Sequence, residues 1–189
     1  MIIYLIRHAK PKVINNNYFE ARLSQDGVRQ VKEFAVKEKL PSPDWIFSSP
    51  YNRTVDTSKT LSDVFHVRFE IKDFLREWNL QSLSLADPEY SAETQKGWTD
   101  YNQKVQGGES LSELGERAYN GMITLASTHK GEILFLVSHG TLIEVVCAMV
   151  GKRKADESHV TNMNFLDYAI FEFRQNDLHL VRDIAAIKS

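Results

Sequence analysis

Two short apolar runs, far apart in the chain, each end in a histidine beside a small residue. The first run, 2–6, leads into Arg7-His8-Ala9, and the second, 133–137, leads into Ser138-His139-Gly140. Short apolar runs of this kind predict buried strands. In α/β proteins the ligand crevice lies at the carboxyl ends of such strands, so we expect both imidazoles to face one pocket.

Strand-like and helix-like patterns alternate along the chain, which predicts an α/β fold. Strands are predicted at 2–6, 45–47, 67–71, 132–137, 168–174 and 178–184. Helices are predicted from Ser24 to the prolines at 41 and 43, from about Pro50 to Val64, from Ser110 onward and at 140–150. Ser24, Ser49 and Ser110 are the predicted N-caps, and 12–21 is predicted to be a polar loop.

Residues 81–107 interrupt this alternation. The stretch is polar, contains Pro88, and has Trp98 and Tyr101 without a sustained helical stripe. A chain of 189 residues typically forms one domain, with or without an insertion. We therefore predict a single catalytic domain over 1–189, with a helical insertion or lid at about 81–107.

The composition is that of an ordinary globular protein and disfavours several partner classes. The formal net charge of -2 gives no general attraction to nucleic acid or to an anionic membrane, so any anion site must be local. The first apolar run is too short for a signal or membrane-spanning segment. The single cysteine, Cys147, excludes an internal disulfide and suits a reducing cytosol, so a cytoplasmic location is expected.

Two arginines stand where an anionic partner would favour them. Arg7 ends a predicted buried strand, where an unpaired charge is costly. Arg53 lies in the first turn of a predicted helix, where the helix dipole disfavours a cation. A bound phosphate would reverse both effects, because guanidinium groups and backbone donors would converge on it. The alternatives are a surface arginine at Arg53 and a structural core histidine at His8.

His139 and Gly140 form a second candidate anion site. A strand ends and a helix begins at this point, so free N–H groups of the first helical turn are expected beside His139. Gly140 would let a ligand approach the backbone closely. Two arginines, two histidines and helix N-termini together favour one doubly charged oxyanion.

Glu77 is the candidate proton donor. It follows the strand predicted at 67–71, where the chain is expected to return to the same crevice. Phosphoryl transfer from an alkoxide leaving group needs a proton, which a carboxyl group can supply. The alternative is a solvated glutamate paired with Arg76 or Lys72.

In their order along the chain, these residues resemble the histidine phosphatase superfamily, which includes the cofactor-dependent phosphoglycerate mutases. Six matching segments cover residues 2 to about 141, and six in order are far more specific than any one. They are Leu5-Ile6-Arg7-His8, Leu23-x-x-x-Gly27, Ser48-Ser49-x-x-x-Arg53-x-x-x-Thr57, Leu75-x-Glu77, Gly108-Glu109-Ser110 and Val137-Ser138-His139-Gly140. The resemblance implies a three-layer α/β/α sandwich with a mostly parallel central sheet.

The resemblance also implies a mechanism that needs no metal or other cofactor. His8 would be the nucleophile that forms a phosphohistidine, while Arg7, Arg53 and His139 would hold the phosphoryl oxygens. Glu77 would protonate the leaving oxygen and then help activate water. To these catalytic residues the resemblance and the loop composition add three substrate-binding candidates, which are Gly140, Lys10 and Asn17.

The chain departs from the family pattern in three places. Ala9 stands where glycine is usual. If the position needs a positive φ, backbone strain at the alanine would destabilise the fold by on the order of 1 kcal/mol. Lys10-Pro11 follows in place of a commonly acidic or polar residue. The segment after Glu77 lacks the glycine and Trp-Glu-Gly of the mutases, and the chain is shorter than theirs. We therefore expect a phosphatase for a small phosphorylated metabolite, with mutase-type phosphoryl transfer as the alternative.

Two further functions compete with this one. Cys147 and Arg153 have the Cys-x5-Arg spacing of cysteine-dependent phosphatases. However, the cysteine falls on an apolar helical face near a helix C-terminus, where the dipole would raise its pKa and repel phosphate. The other competitor is a non-catalytic phospholigand-binding protein, suggested by Ala9 and Lys10. The sequence does not decide whether the protein is a monomer or a homodimer. The remaining histidines do not have the spacing of metal ligands, so no metal site is predicted.

Overall fold

The computed structural model describes residues 1–14, 17–80 and 87–185. The elements begin with β1 (Ile2–Arg7), β2 (Pro11–Ile14), β3 (Asn17–Leu23), α1 (Gln25–Lys37), β4 (Trp45–Ser48), α2 (Asn52–Phe65) and β5 (Phe69–Ile71). A 3₁₀ turn (Asp73–Leu75), α3 (Tyr90–Thr99) and α4 (Leu111–Thr128) follow. The chain continues with β6 (Ile133–Ser138), α5 (Gly140–Val150), α6 (Glu157–Asn162), β7 (Tyr168–Arg174) and β8 (Asp177–Arg182). Within these ranges no helix is long and apolar enough to cross a membrane.

A six-stranded sheet with the order β5-β4-β6-β1-β7-β8 forms the centre of the molecule. The first four strands of this order run parallel, whereas β7 is antiparallel to β1 and β8 is antiparallel to β7. Strand β6 therefore lies between β4 and β1. Its register pairs Ser138 with Arg7, so the residues that follow, His139 and His8, leave the sheet side by side.

Helices cover both faces of this sheet. Alternate side chains of a strand point to opposite faces, so neighbouring residues of β6 enter different cores. Phe135 and Val137 pack with Val31 of α1 and Leu61 of α2. On the other face, residues of β1 and β6 pack with residues of α4 and α5, namely Leu5, Leu134, Leu136, Leu114, Met122, Leu142 and Val146. The expected three-layer α/β/α sandwich with a mostly parallel sheet is confirmed.

The polar loop predicted at 12–21 is wrong, because most of it forms the β2–β3 hairpin. Pro11 pairs with Leu23, and Lys12 with Arg22. The carboxylate of Asp56, on α2, accepts hydrogen bonds from the Leu23 backbone N–H and from Arg22. The hairpin is thus held by contacts with α2 rather than by an apolar strand pattern. Asn15 and Asn16 of the predicted polar loop lie outside the described residues.

The predicted helix starts are confirmed for α1, α4 and α5 but not for α2. Ser24 and Ser110 cap their helices, and Ser110 forms the expected capping box with Glu113. Helix α2 begins at Asn52 with Tyr51 as its N-cap, so the prediction of Ser49 as the cap is wrong. The Ser49 hydroxyl instead lies 2.8 Å from a ring nitrogen of His139. Helix α6 was not predicted.

The stretch expected to be a helical insertion contains α3 and a turn that ends at the α4 capping box. The α3 side chain of Trp98 packs edge-on against Trp78, with ring centroids 6.1 Å apart. Residues 81–86 lie outside the described part of the chain. The single catalytic domain and the lid role both stay predictions.

Candidate active site

His8 and His139 lie next to each other at the carboxyl ends of β1 and β6. Their ring centroids are 5.4 Å apart, and their exposed fractions are 2% and 0%. His139 is also the N-cap of α5, where the chain turns from strand to helix. The structure therefore brings together the two histidines that the sequence places at equivalent strand ends.

Arg53 bridges the two imidazoles from the first turn of α2. Its Nε donates a hydrogen bond to His8 Nε2 at 3.2 Å, and its Nη2 donates to His139 Nδ1 at 3.0 Å. A guanidinium can only donate, so both of these ring nitrogens must carry lone pairs. The bridging gives the buried arginine at this helix end two hydrogen-bond acceptors but no negative charge.

The second nitrogen of each ring shows that the two histidines are in opposite tautomers. A neutral imidazole carries one N–H, and in each ring it is on the nitrogen that does not face Arg53. His8 Nδ1 therefore donates to the carbonyl oxygen of Ala9 at 2.8 Å. His139 Nε2 donates to the Ser49 hydroxyl at 2.8 Å. His8 is thus left with an Nε2 lone pair, the form a nucleophile needs.

Burial and positive charge keep both rings neutral. Loss of hydration on burial, followed by the charge of Arg53 and a smaller contribution from Arg7, lowers the pKa of His8 to about 3. The hydrogen bond to Ala9 opposes this shift without cancelling it. The pKa of His139 lies well below its ordinary value, again because of burial first and Arg53 second. At neutral pH neither imidazole is a cation.

Arg7 reaches the same region from the end of β1. Its Nη1 donates to the carbonyl oxygen of Met163, and its guanidinium carbon lies 5.0 Å from the centre of the Phe165 ring. Its Nε is buried and makes no hydrogen bond within the described ranges. A Cβ added to Gly140 would lie 3.6 Å from the Arg7 guanidinium carbon and 3.1 Å from a Val160 methyl group. A side chain at position 140 would therefore be tight against Val160 of α6 and in ordinary van der Waals contact with Arg7.

Glu77 lies against the first turn of α5. Its carboxylate accepts hydrogen bonds from the backbone N–H groups of Thr141 and Leu142, both at 3.2 Å, and from Trp78 N–H at 2.9 Å. The helix dipole favours a negative charge at this position. From the sequence we expected these N–H groups to be free for an anionic ligand. That expectation is wrong for Thr141 and Leu142, because both already donate to the Glu77 carboxyl group.

Comparison with known proteins identifies the family. Residues 3–183 match the sequence profile of the histidine phosphatase superfamily, branch 1. The chain belongs to that superfamily. It is 26% identical over 159 residues to the putative phosphoserine phosphatase 2 of Hydrogenobacter thermophilus, which covers 79% of this chain and 78% of the relative. It is 23% identical to the probable phosphoglycerate mutase GpmB of Salmonella choleraesuis, over 73% of this chain and 69% of the relative.

Solved structures show the same fold as this histidine phosphatase superfamily member. The phosphoserine phosphatase of Entamoeba histolytica in complex with 3-phosphoglyceric acid has a TM-score of 0.78 and 18% identity, covering 95% of this chain and 94% of its own. A mycobacterial glucosyl-3-phosphoglycerate phosphatase has a TM-score of 0.77 and 20% identity, covering 96% and 98%. At these identities the likeness demonstrates the fold.

The structure also tests the departures from the superfamily pattern. Ala9 is fully buried and does not have a positive φ, so the strain considered for an alanine there does not arise. Lys10 is exposed, and its carbonyl oxygen accepts hydrogen bonds from Ser24 at the start of α1. Asn17 begins β3, but its side chain lies outside the described residues. Lys10 and Asn17 thus keep the status of predictions.

Two residues near the histidines were quoted in the superfamily motif but were not predicted to take part in the site. Ser49 binds His139, as described above. Thr57 accepts a hydrogen bond from Ala9 N–H at 3.1 Å and donates one to the Arg53 carbonyl oxygen at 2.7 Å. Arg53 and Thr57 are four residues apart, which places both on one face of a helix. This spacing could have predicted that Thr57 lies at the site.

Cys147 and Arg153 do not form a phosphate-binding loop. The thiol is fully buried in the apolar core beneath α5, and burial raises its pKa well above the ordinary range. Arg153 donates two hydrogen bonds to the Glu144 carboxylate and two to Asp183. The arginine is therefore committed to internal carboxylates, as expected for a structural role.

Proposed function

We propose that this chain is a phosphatase that hydrolyses a small phosphomonoester through a phosphohistidine at His8. The observation that carries the proposal is the state of His8, a buried neutral ring whose Nε2 lone pair faces Arg53 beside His139. A histidine must be neutral to attack phosphorus. Superfamily membership and the phosphatase names of several relatives support the same chemistry.

The dianionic phosphoryl group would bind among Arg7, Arg53 and His139. Arg53 would turn its N–H groups from the two imidazoles to the phosphoryl oxygens, and Arg7 would offer its unpaired Nε. An unsatisfied buried donor costs about 1–3 kcal/mol, so an anion that accepts from Arg7 Nε would remove that cost. His139 would act as a phosphate contact by exchanging its bond with Ser49 for one with an oxygen of the ligand. Gly140, beside the Arg7 guanidinium, would leave room for the ligand to approach the backbone.

The first step transfers the phosphoryl group to His8. The Nε2 lone pair forms the N–P bond while the P–O bond to the leaving group breaks, with charge on the equatorial oxygens held by the arginines. Nδ1 keeps its proton, and its bond to the Ala9 carbonyl oxygen stabilises the positive phosphoimidazole. Glu77 enters this step as the neutral carboxylic acid and gives its proton to the departing alkoxide, so the alcohol leaves neutral and Glu77 becomes the carboxylate that accepts the water proton in the second step.

The second step returns His8 to its starting state. Water attacks phosphorus, Glu77 accepts the water proton, and the N–P bond breaks to release inorganic phosphate. The net reaction consumes one phosphomonoester and one water and yields one alcohol and one phosphate. The small-metabolite substrate class is supported by the relatives, which are named for phosphoserine, phosphoglycerate and glucosyl-3-phosphoglycerate. Lys10 and Asn17 are proposed as additional substrate contacts.

The test is to give the protein a brief pulse of phosphate-labelled phosphomonoester and to measure whether the label it retains is stable or labile in acid. We expect an acid-labile label on His8 in the wild type and in Cys147→Ser, no label in His8→Ala, and a much weaker label in His139→Ala. Label on the cysteine, or undiminished turnover in His8→Ala, would contradict the proposal. Transfer of the label to a second hydroxyl substrate instead of water would indicate a mutase. Binding of the substrate without protein labelling or turnover would indicate a non-catalytic phospholigand-binding protein.

A further inference from the structure

A buried ion pair outside the two-histidine site lies next to the segment that carries Glu77. Arg117 of α4 donates to both carboxylate oxygens of Glu109, at 2.7 and 2.8 Å, in the parallel geometry that makes such pairs strong. The two side chains are only 15% and 10% exposed. A buried ion pair is weak evidence for a gain in stability, because desolvation offsets much of the attraction. Its other contacts indicate a different role.

Arg117 holds the chain on the N-terminal side of Glu77. Its remaining N–H groups donate to the carbonyl oxygens of Phe74, at 2.7 Å, and Arg76, at 3.2 Å. One guanidinium thus binds the Glu109 carboxylate and two backbone carbonyls at once. Only the planar, many-donor arginine head group can make this set of bonds.

Glu109 holds the chain on the C-terminal side of Glu77. Its backbone N–H donates to the Asn79 carbonyl oxygen at 2.8 Å, and its own carbonyl oxygen accepts from the Trp78 ring N–H at 2.7 Å. Its carboxylate also accepts from Asn79 N–H at 3.4 Å. We call residues 74–79 the Glu77 strap. The ion pair binds this strap on both sides of Glu77.

We propose that the Glu109–Arg117 pair positions Glu77 for proton transfer by fixing the strap against α5. The inference rests on the proposed role of Glu77 as proton donor to the leaving oxygen. Both groups are positioning residues, since they act through Glu77. With the strap fixed, the carboxylate stays on the Thr141 and Leu142 N–H groups, directly beside His139 and Gly140. Without the pair, Glu77 would lose this fixed position.

The test uses two substrates that differ in their need for a proton. An alkyl phosphate such as phosphoserine leaves as a strongly basic alkoxide, whereas p-nitrophenyl phosphate leaves as a phenolate that needs no proton. We expect Arg117→Met to lower kcat for the alkyl phosphate about 10–100-fold, with KM little changed, because general acid catalysis is worth roughly that much or more. Since Glu77 also activates water in the second step with either substrate, the discriminating quantity is the rate of phosphohistidine formation. With p-nitrophenyl phosphate this rate should change by less than about threefold. Equal losses in phosphohistidine formation from both substrates would overturn the proposal.

A matched control pair lies elsewhere in the molecule. Arg153 donates to both oxygens of the buried Glu144, at 2.6 and 2.8 Å, without contacting the Glu77 strap. Arg153→Met should destabilise the fold without changing the ratio of alkyl to p-nitrophenyl turnover. Arg117→Lys keeps the positive charge but cannot make the two parallel hydrogen bonds of a guanidinium group. Its rates on the two substrates should therefore resemble those of Arg117→Met. Full recovery by lysine would show that charge alone matters and would contradict positioning.

Two further measurements separate this inference from the proposed function. In a Glu77→Gln background, Arg117→Met should cause little additional loss on the alkyl phosphate, because both changes remove the same interaction. Hydrogen exchange at the Thr141 and Leu142 amides needs no turnover. It should quicken in Arg117→Met and stay unchanged in Arg153→Met. Unchanged exchange in Arg117→Met would overturn the inference. A wild type that never labels His8 would overturn the proposed function, and the exchange result would still show whether the ion pair fixes Glu77 against α5.

Discussion

At the scale of single residues, the two histidines differ in ways that their similar sequence settings do not reveal. His8 donates to its neighbour's carbonyl oxygen and His139 to a serine hydroxyl, while both accept from Arg53. Which nitrogen carries the proton follows from one guanidinium placed between two rings. The sequence could predict that these residues meet. It could not predict the tautomers, which depend on the ring nitrogen that faces Arg53 in each histidine.

The lowered pKa of His8 predicts a stability change with pH. At pH values between about 3, the native pKa of His8, and 6.5, its unfolded-state pKa, the ring is protonated in the unfolded chain and neutral in the native protein. The free energy of unfolding therefore falls as the pH falls, by about 1.4 kcal/mol per pH unit for one group, and above 6.5 this contribution is absent. His8→Gln removes the effect. Urea unfolding should show the variant gaining about 2 kcal/mol relative to the wild type between about pH 7.5 and about pH 5. A difference that does not vary with pH would contradict the shift.

At the scale of elements, the apolar pattern predicted the strands and helices of the sandwich, and tertiary contacts determined the rest. The strands that meet at the site are apolar runs, with buried residues throughout most of β6 and at Ile3, Leu5 and Ile6 of β1, so their positions could be predicted from sequence. The β2–β3 hairpin has no such pattern and depends on Asp56 of α2. Helix α2 begins at Asn52, later than predicted. Ser49, which was predicted to cap it, is hydrogen-bonded to His139 instead. Glu77 was placed near the crevice correctly, but its contact with α5 was not foreseeable.

Two adjacent glycines before α4 make the role of the Glu77 strap measurable. A Cβ on Gly108 would lie 2.2 Å from the Asn79 carbonyl oxygen, whereas a Cβ on Gly107 would meet nothing within 4 Å. Gly107 has a φ of +73°, so Gly107→Ala should cost about 1–2 kcal/mol from strain alone. Gly108→Ala should destabilise by more, about 3 kcal/mol, because backbone must move. It should also reduce alkyl phosphate turnover. Thermal unfolding measures the loss of stability, and the two-substrate assay measures the loss of alkyl phosphate turnover. Equal losses in Gly107→Ala and Gly108→Ala would contradict the prediction.

At the scale of the whole molecule, the buried thiol of Cys147 reports when the fold opens. It is the single cysteine of the chain, it is fully buried, and burial raises its pKa. A buried neutral thiol does not react with a disulfide reagent until the core around α5 is exposed. Its labelling rate is therefore a measure of unfolding rather than of surface chemistry.

Inorganic phosphate should slow this labelling if it binds the native state. At about 100 times its dissociation constant, a native-state ligand adds about 2.7 kcal/mol of stability, and labelling through global opening slows about 100-fold. Arg53→Ala should abolish the protection while leaving the thiol equally buried. Protection that persists in Arg53→Ala would place the phosphate somewhere other than between the histidines.

The sheet order also has a consequence for the time at which the site forms during synthesis. Strand β6 is inserted between β4 and β1, although it is made long after both. A nascent chain that ends before Ile133 already contains His8 and Arg53 but has no strand to set the distance between them. Pairings this distant in sequence form slowly, because a long loop must close first. Phosphate affinity should therefore arise late and abruptly on the ribosome, when residues 133–139 emerge.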